Sequence, residues 1–79
     1  MITIHSKVGC PFCISATKFL SDKKIKFKEI LYDPSNSNYI LKTNALKNKT
    51  KHPTFPQIFI GTKFIGGYDN LLQYYTIKK

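Results

Sequence analysis

The sequence predicts an α/β domain in which a mixed four-stranded sheet is flanked by three helices, in the order β-α-β-α-β-β-α. Three observations predict it. Short runs rich in β-branched and aromatic residues alternate with longer runs whose apolar positions recur at helical spacing. A strand, helix, strand succession at the amino end is a βαβ crossover, which sets its two strands parallel. Near the carboxyl end, Gly61-Thr62 separates two apolar runs and marks a tight antiparallel hairpin.

Each element has its own reason. Ile2-Thr3-Ile4-His5-Ser6 alternates apolar and polar residues and reads as the first strand. From Pro11 to about Lys23, Phe12, Ala16, Phe19 and Leu20 recur at helical spacing, and Pro11 suits a first helical position because it has no amide hydrogen to leave unpaired. Thr17, Lys18 and Asp22 fall on the other side of that helix. Phe27 to Tyr32 forms the second strand, and Asp33-Pro34-Ser35-Asn36 turns the chain out of it. Tyr39, Ile40, Leu41, Ala45 and Leu46 predict a second helix from Ser37 to about Leu46, capped by Ser37 or Asn36. Asn48 to Pro53 is polar, ends in proline and reads as a loop. Gln57 to Ile60 and Lys63 to Ile65 are the hairpin strands. Gly66-Gly67-Tyr68 breaks the pattern, and Asp69 is the expected cap of a last helix carrying Leu71, Leu72 and Tyr75.

Seventy-nine residues suffice for one domain, residues 1–79, with a single small core. The net charge of +9 comes from lysines without any arginine. Such a surface attracts anions, whether nucleic acid, acidic protein or small carboxylates. The missing arginine argues against specific base reading, since Arg makes the commonest specific contact to guanine. A basic nucleic-acid module with exposed Tyr74 and Tyr75 is the alternative from another class, and it leaves the cysteines unexplained. No apolar run approaches the roughly 18 to 20 residues of a membrane span, and the amino end lacks the layout of a signal peptide. The expectation is a soluble, cytoplasmic monomer.

The chemistry centres on Cys10-Pro11-Phe12-Cys13, which holds both cysteines. A bridge across so short a loop is a poor staple, contributing roughly 2 kcal/mol at most by chain entropy. The same spacing lets one thiolate attack an outside disulfide and the other displace it. Cys10 stands at a helix amino end, where amide hydrogens and the positive dipole end favour a sulfur anion, and Lys7 adds a nearby cation. Cys10 is therefore the expected nucleophile, and Cys13, flanked by Phe12 and Ile14, the more buried resolving thiol. A zinc site needs two further ligands, and His5 and His52 lack the usual spacing, so no metal is expected. A lone Cys-x-x-Cys also suits a reducing compartment better than a secreted scaffold.

Two further stretches point to the same end of the sheet. Pro56 in Thr54-Phe55-Pro56 fits the first residue of a strand. With a cis bond there, the Phe55 amide and carbonyl face the sulfurs and can pair with an extended peptide. Gly66-Gly67-Tyr68-Asp69 suits a turn and cap, and its geometry also lets helix-start amides take a carboxylate while Asp69 accepts from an ammonium group. Carboxylate and ammonium together describe a free amino-acid head.

With Lys7 three residues before Cys10, then Cys10-Pro11-Phe12-Cys13, Thr54-Phe55-Pro56-Gln57-Ile58-Phe59-Ile60 and Ile65-Gly66-Gly67-Tyr68-Asp69, the chain resembles the dithiol glutaredoxins from Ile2 to about Tyr75. The resemblance implies a thioredoxin-like fold, a cis Pro56, and glutathione as reducing co-substrate with no permanently bound cofactor. It implies that Lys7 holds the glycyl carboxylate, that the Phe55 backbone pairs with the cysteinyl unit, and that Thr54 lines the same groove. Gly67, Tyr68 and Asp69 then take the γ-glutamyl head. Phe12 stands where the family often has Tyr, losing a hydroxyl beside the nucleophile, and Phe55 replaces the usual Val. A further carboxylate-binding side chain, from Lys42, Lys47 or Lys51, is left open.

The implied activity is glutathione-dependent reduction of protein disulfides and of protein–glutathione mixed disulfides. The nearest alternative is a redoxin recharged by thioredoxin reductase and serving ribonucleotide reductase. An iron–sulfur carrier bridging two subunits is a further one, which Pro11 and Cys13 disfavour in the family resembled.

Overall fold

The computed structural model describes residues 1–77. Its elements are β1 (Ile2–Lys7), α1 (Pro11–Asp22), β2 (Phe27–Tyr32), α2 (Tyr39–Thr50), β3 (Gln57–Ile60), β4 (Lys63–Gly66) and α3 (Tyr68–Ile77). The four strands lie in the order β2-β1-β3-β4. β1 runs parallel to β2 from Ile2 opposite Phe27 to Lys7 opposite Tyr32, and antiparallel to β3 from Ile2 opposite Ile60 to His5 opposite Gln57. β3 and β4 form the hairpin, with an irregularity between Ile58 and Phe59. This is the expected mixed sheet with three helices, a thioredoxin-like arrangement.

Strand alternation sorts the residues onto two faces. Ile2, Ile4 and Ser6 of β1 are buried, while Thr3, His5 and Lys7 are half-buried on the other face. Ile2, Ile4 and Ile58 pack with Ala16 and Leu20 of α1 and Leu71 of α3 into an aliphatic core. Around it lie Phe19 and Tyr75, whose rings meet at 5.9 Å. The second core is different in kind: Cys10, Cys13, Leu46, Phe55 and Phe59, with Tyr32 and Phe64 packed against them. There the rings of His5 and Phe59 meet edge to face at 5.3 Å, and those of Phe59 and Phe64 lie 5.2 Å apart. β3 is central and buried along most of its length, as a strand covered on both faces must be.

Four expectations need correction. α2 begins at Tyr39, not Ser37, because Asn36 is taken up in a turn: its side chain accepts from the Asn38 amide at 2.8 Å and its carbonyl from the Tyr39 amide at 3.0 Å. At its other end α2 continues through residues 48–50, where a loop was expected. Lys47 and Lys49 suit the negative end of the helix dipole, the Thr50 hydroxyl oxygen lies 3.0 Å from the Leu46 carbonyl, one of two acceptors that share its hydrogen, and Lys51 in the left-handed conformation stops the helix.

The third correction concerns the cap of α3. Asp69 lies in its first turn, and the cap is Gly67, whose amide donates to Asn70 Oδ1 at 3.0 Å while its carbonyl accepts from Leu71. Asn70 reaches back as the third residue of a capping box does. Finally, Tyr74 and Tyr75 are half-buried and stack edge to face at 5.2 Å, with Tyr75 also against Phe19, so they are no open stacking platform.

The cap at α3 yields a comparative prediction. Gly66 has φ +119, and a Cβ there collides with the Asn70 side chain that caps Gly67; Gly61 has φ +61 with nothing within 4 Å of an added Cβ. Gly66→Ala should therefore lower the unfolding free energy by about 2–3 kcal/mol, through strain and loss of the cap. Gly61→Ala should cost about 1 kcal/mol. Urea unfolding of the two variants measures both, and an equal or reversed order contradicts this account of the α3 cap.

Candidate functional site

The site forms where β1 ends and α1 begins. Cys10 is the N-cap of α1, in extended conformation, and its Sγ accepts the Cys13 amide at 3.2 Å. A sulfur thus fills the role that an oxygen usually fills at this position. The Cys10 thiol is 3.7 Å from the Phe55 carbonyl oxygen, to which it donates. Both cysteines are reduced thiols, Cys10 being 7% and Cys13 2% exposed.

The neighbours expected to bury Cys13 do not do so. Phe12 and Ile14 are 61% and 66% exposed, because at helical spacing they point away from the sheet. Cys13 shares instead the buried stripe of α1 with Ala16 and Leu20. Its thiol is pushed up from the ordinary 9.0 to about 11, first by burial and next by the Cys10 side chain. The Lys7 amide and the Ser6 hydroxyl pull in the opposite direction.

The Phe55–Pro56 bond is cis, as the resemblance implied. What holds this loop is Gln57, which is fully buried: its Oε1 accepts from the Thr50 hydroxyl at 2.8 Å, and its amide nitrogen donates to the carbonyls of His52 and Thr54. One side chain thereby ties the end of α2 to the segment carrying Thr54 and Phe55. Gly67 approaches this segment from the other side. A Cβ there would lie 3.4 Å from the Pro56 carbonyl oxygen and 3.5 Å from His52 Nε2.

Phe12, Thr54, Phe55, Pro56, Gly67, Tyr68 and Asp69 line one groove of about 280 Å³. His52 and Asn70 complete it. Seven of the eight residues expected to contact a ligand therefore share one groove. The eighth, Lys7, stands beside it with Nζ 5.6 Å from the centre of the Phe55 ring, and Lys47 Nζ is 6.0 Å from the same ring. Lys42 lies away from this groove, in a depression with Tyr32, Asp33 and Tyr39.

Gln57, His52 and Asn70 received no role from the sequence. Gln57 followed the Thr54-Phe55-Pro56 motif in plain view, and a polar residue opening an otherwise apolar strand was the available signal. His52 and Asn70 gave none, since their roles depend on the Thr54 hydroxyl 3.2 Å from His52 Nε2 and on the Gly67 amide.

The glutaredoxin family model matches residues 2–65. The chain belongs to the glutaredoxin family. It is 36% identical over 70 residues to glutaredoxin 3 of Escherichia coli K12, covering 89% of this chain and 80% of that protein. It is also 42% identical over 74 residues to a hybrid peroxiredoxin of Haemophilus influenzae; that match covers 94% of this chain but only 29% of the longer relative. Among solved structures, a buckwheat glutaredoxin–glutathione complex superimposes with a TM-score of 0.88 at 27% identity, covering 99% of this chain and 70% of that one. Family membership carries thiol–disulfide redox chemistry, and both Cys10 and Cys13 are present as free thiols. Among the described residues, no helix is long and apolar enough to cross a membrane.

The raised Cys13 value predicts a pH dependence. Between pH 9 and 11 the folded chain holds the Cys13 proton more tightly than the unfolded chain does, so this group stabilises the fold below pH 9 and loses that contribution as pH rises through 11. The reduced wild type should lose stability across this window faster than Cys13→Ser, the variant correcting for lysines and tyrosines that titrate alongside. Urea midpoints at pH 8, 9, 10 and 11 measure it, and parallel curves contradict it.

Proposed function

We propose that this glutaredoxin is a glutathione-dependent oxidoreductase that reduces protein–glutathione mixed disulfides through Cys10 and protein disulfides through the Cys10–Cys13 dithiol. The observation that carries the reading is the contact between Cys10 Sγ and the Phe55 carbonyl: the nucleophile touches the backbone of a residue that lines the groove. The buckwheat relative, solved as a glutathione complex, supports the same ligand here.

Glutathione is an extended tripeptide with a carboxylate at one end and an amino-acid head at the other. The Phe55 backbone pairs with its cysteinyl unit like an added strand. Lys7 meets the glycyl carboxylate, and Lys47, which reaches the same aromatic ring, is the second cation that the sequence left open. The first-turn amides of α3 take the γ-glutamyl carboxylate, and Asp69 takes the ammonium. Thr54 lines the groove between these ends. The Phe12 ring, 6.2 Å from that of Tyr68, closes the side nearest the cysteines.

With a protein–glutathione mixed disulfide, Cys10 thiolate attacks the glutathione sulfur, because the groove fixes that half, and the protein thiol leaves. A second glutathione then attacks the Cys10 adduct, releasing glutathione disulfide and restoring the thiol. With a protein disulfide, Cys13 displaces the substrate from Cys10 and the enzyme leaves oxidised. Glutathione is a co-substrate in this scheme, with no permanently bound cofactor, and the chain acts as a monomer in the reducing cytoplasm. The likeness to a hybrid peroxiredoxin supports a peroxiredoxin disulfide as one protein substrate.

A glutathione-coupled assay separates the roles. Cys13→Ser should keep mixed-disulfide turnover and lose protein-disulfide reduction, whereas Cys10→Ser should lose both. Activity in Cys10→Ser overturns the assignment. Lys7→Gln and Lys47→Gln should each raise the KM for glutathione roughly fivefold, an effect of about 1 kcal/mol for a half-exposed ion pair. Faster recharging by thioredoxin reductase than by glutathione would favour the redoxin alternative.

A further inference from the structure

Ser6 is a buried polar residue that the scheme above leaves without a task. It is 1% exposed, and its hydroxyl oxygen has no hydrogen-bond partner among the described residues. Native structures leave few buried hydroxyls in this condition, and those at reactive centres tend to serve the chemistry. Its place follows from strand and helix periodicity. Ile2, Ile4 and Ser6 form the buried stripe of β1, and Cys13, Ala16 and Leu20 form the buried stripe of α1. The last residue of the strand stripe thus meets the first residue of the helix stripe.

The Ser6 hydroxyl is close enough to Cys13 to draw its thiol down, as the Lys7 amide does, against burial and the neighbouring Cys10 that push it up. Yet it makes no well-formed hydrogen bond to the sulfur in the dithiol state. A hydroxyl held beside a neutral thiol with no other acceptor is a donor in reserve. Cys10 is the titratable side chain that faces Cys13 along with it.

We propose that the Ser6 hydroxyl, with the Lys7 amide, is the donor that stabilises the Cys13 sulfur anion as it resolves a mixed disulfide on Cys10. This deepens the proposed dithiol reaction and rests on it. In that step the Cys13 sulfur attacks the Cys10 sulfur, and the Cys10–Cys13 bond forms as the bond from Cys10 to the substrate sulfur breaks. The electron pair leaves on the substrate sulfur, which takes up, through solvent, the proton that Cys13 gave up. Enzyme thiol plus mixed disulfide becomes enzyme disulfide plus free substrate thiol. Ser6 acts on this half-reaction alone, since mixed-disulfide turnover through Cys10 does not need the Cys13 anion.

The test is Ser6→Ala in the full chain, with Ser6→Thr as the conservative control. The ratio of protein-disulfide to mixed-disulfide turnover should fall about tenfold in Ser6→Ala, as expected for losing a hydrogen bond to a charged group. The pH midpoint of protein-disulfide reduction should rise, and Ser6→Thr should restore both. Thermal stability should hold or increase, because the hydroxyl has no partner to lose in the resting fold. An unchanged ratio and midpoint overturns the proposal, and so does an equal loss of both activities with a lowered melting temperature, which marks a structural role. In a Cys10→Ser background, the pH midpoint for iodoacetamide alkylation of Cys13 should also rise on Ser6→Ala. This readout needs no turnover, so it judges the Ser6 donor even if the glutathione reaction itself proves wrong.

Discussion

The Cys13 amide donates to the Cys10 sulfur at 3.2 Å, and the rest of the site depends on that bond. It makes the start of a helix and the proposed nucleophile one object: the sulfur caps α1, and α1 in return aims its unpaired amides at the sulfur. Since α1 is anchored by Ala16 and Leu20 in the aliphatic core, Cys10 inherits a fixed position from packing well away from it. The Phe55 carbonyl also meets the sulfur, at 3.7 Å. The Cys10 sulfur is thus held between a helix and a loop.

The two faces of the sheet divide the labour. The face under α1 and α3 is aliphatic and closely packed, and the buried stripes of β1 and α1 run from it to Ser6 and to Cys13, which packs with the second core. The face toward α2 is aromatic and basic, with Lys47 over Phe55 and Lys49 over Phe59. Cations over ring faces keep their charge near the surface while their stems cover apolar area. Lysine that looked in composition like general surface charge is in part assembled around the groove. Gln57 connects this face to the site by anchoring the loop that ends in Phe55 and Pro56.

The strand and helix order, the sheet and the gathering of Phe12, Thr54, Phe55, Pro56, Gly67, Tyr68 and Asp69 were legible in sequence, because periodicity and turn chemistry are local and the motifs keep their spacing. What escaped turns on the placement of single side chains. The last turn of α2 is polar enough to read as a loop, and it is helical because Thr50 bonds back to Leu46 and across to Gln57. Asp69 has the right residue type for a cap, yet Asn70 reaches the Gly67 amide instead. Ser6 is polar by type, yet it stands in phase with Ile2 and Ile4 and lies on their buried side. The Thr50–Gln57 bond joins two elements, and the Asn70 cap and the unpartnered Ser6 hydroxyl turn on single side chains that residue type and periodicity do not rank.

The central claim is that Cys10 takes glutathione in the groove between the Phe55–Pro56 segment and α3. Its most direct measurement is to incubate Cys13→Ser with glutathione disulfide, locate the adduct by peptide mass mapping, and record backbone amide shifts by NMR. The account predicts one glutathione on Cys10, with shifts concentrated at Phe55, Gly67, Tyr68 and Asp69. An adduct that leaves those amides unmoved, or no adduct at Cys10, contradicts it.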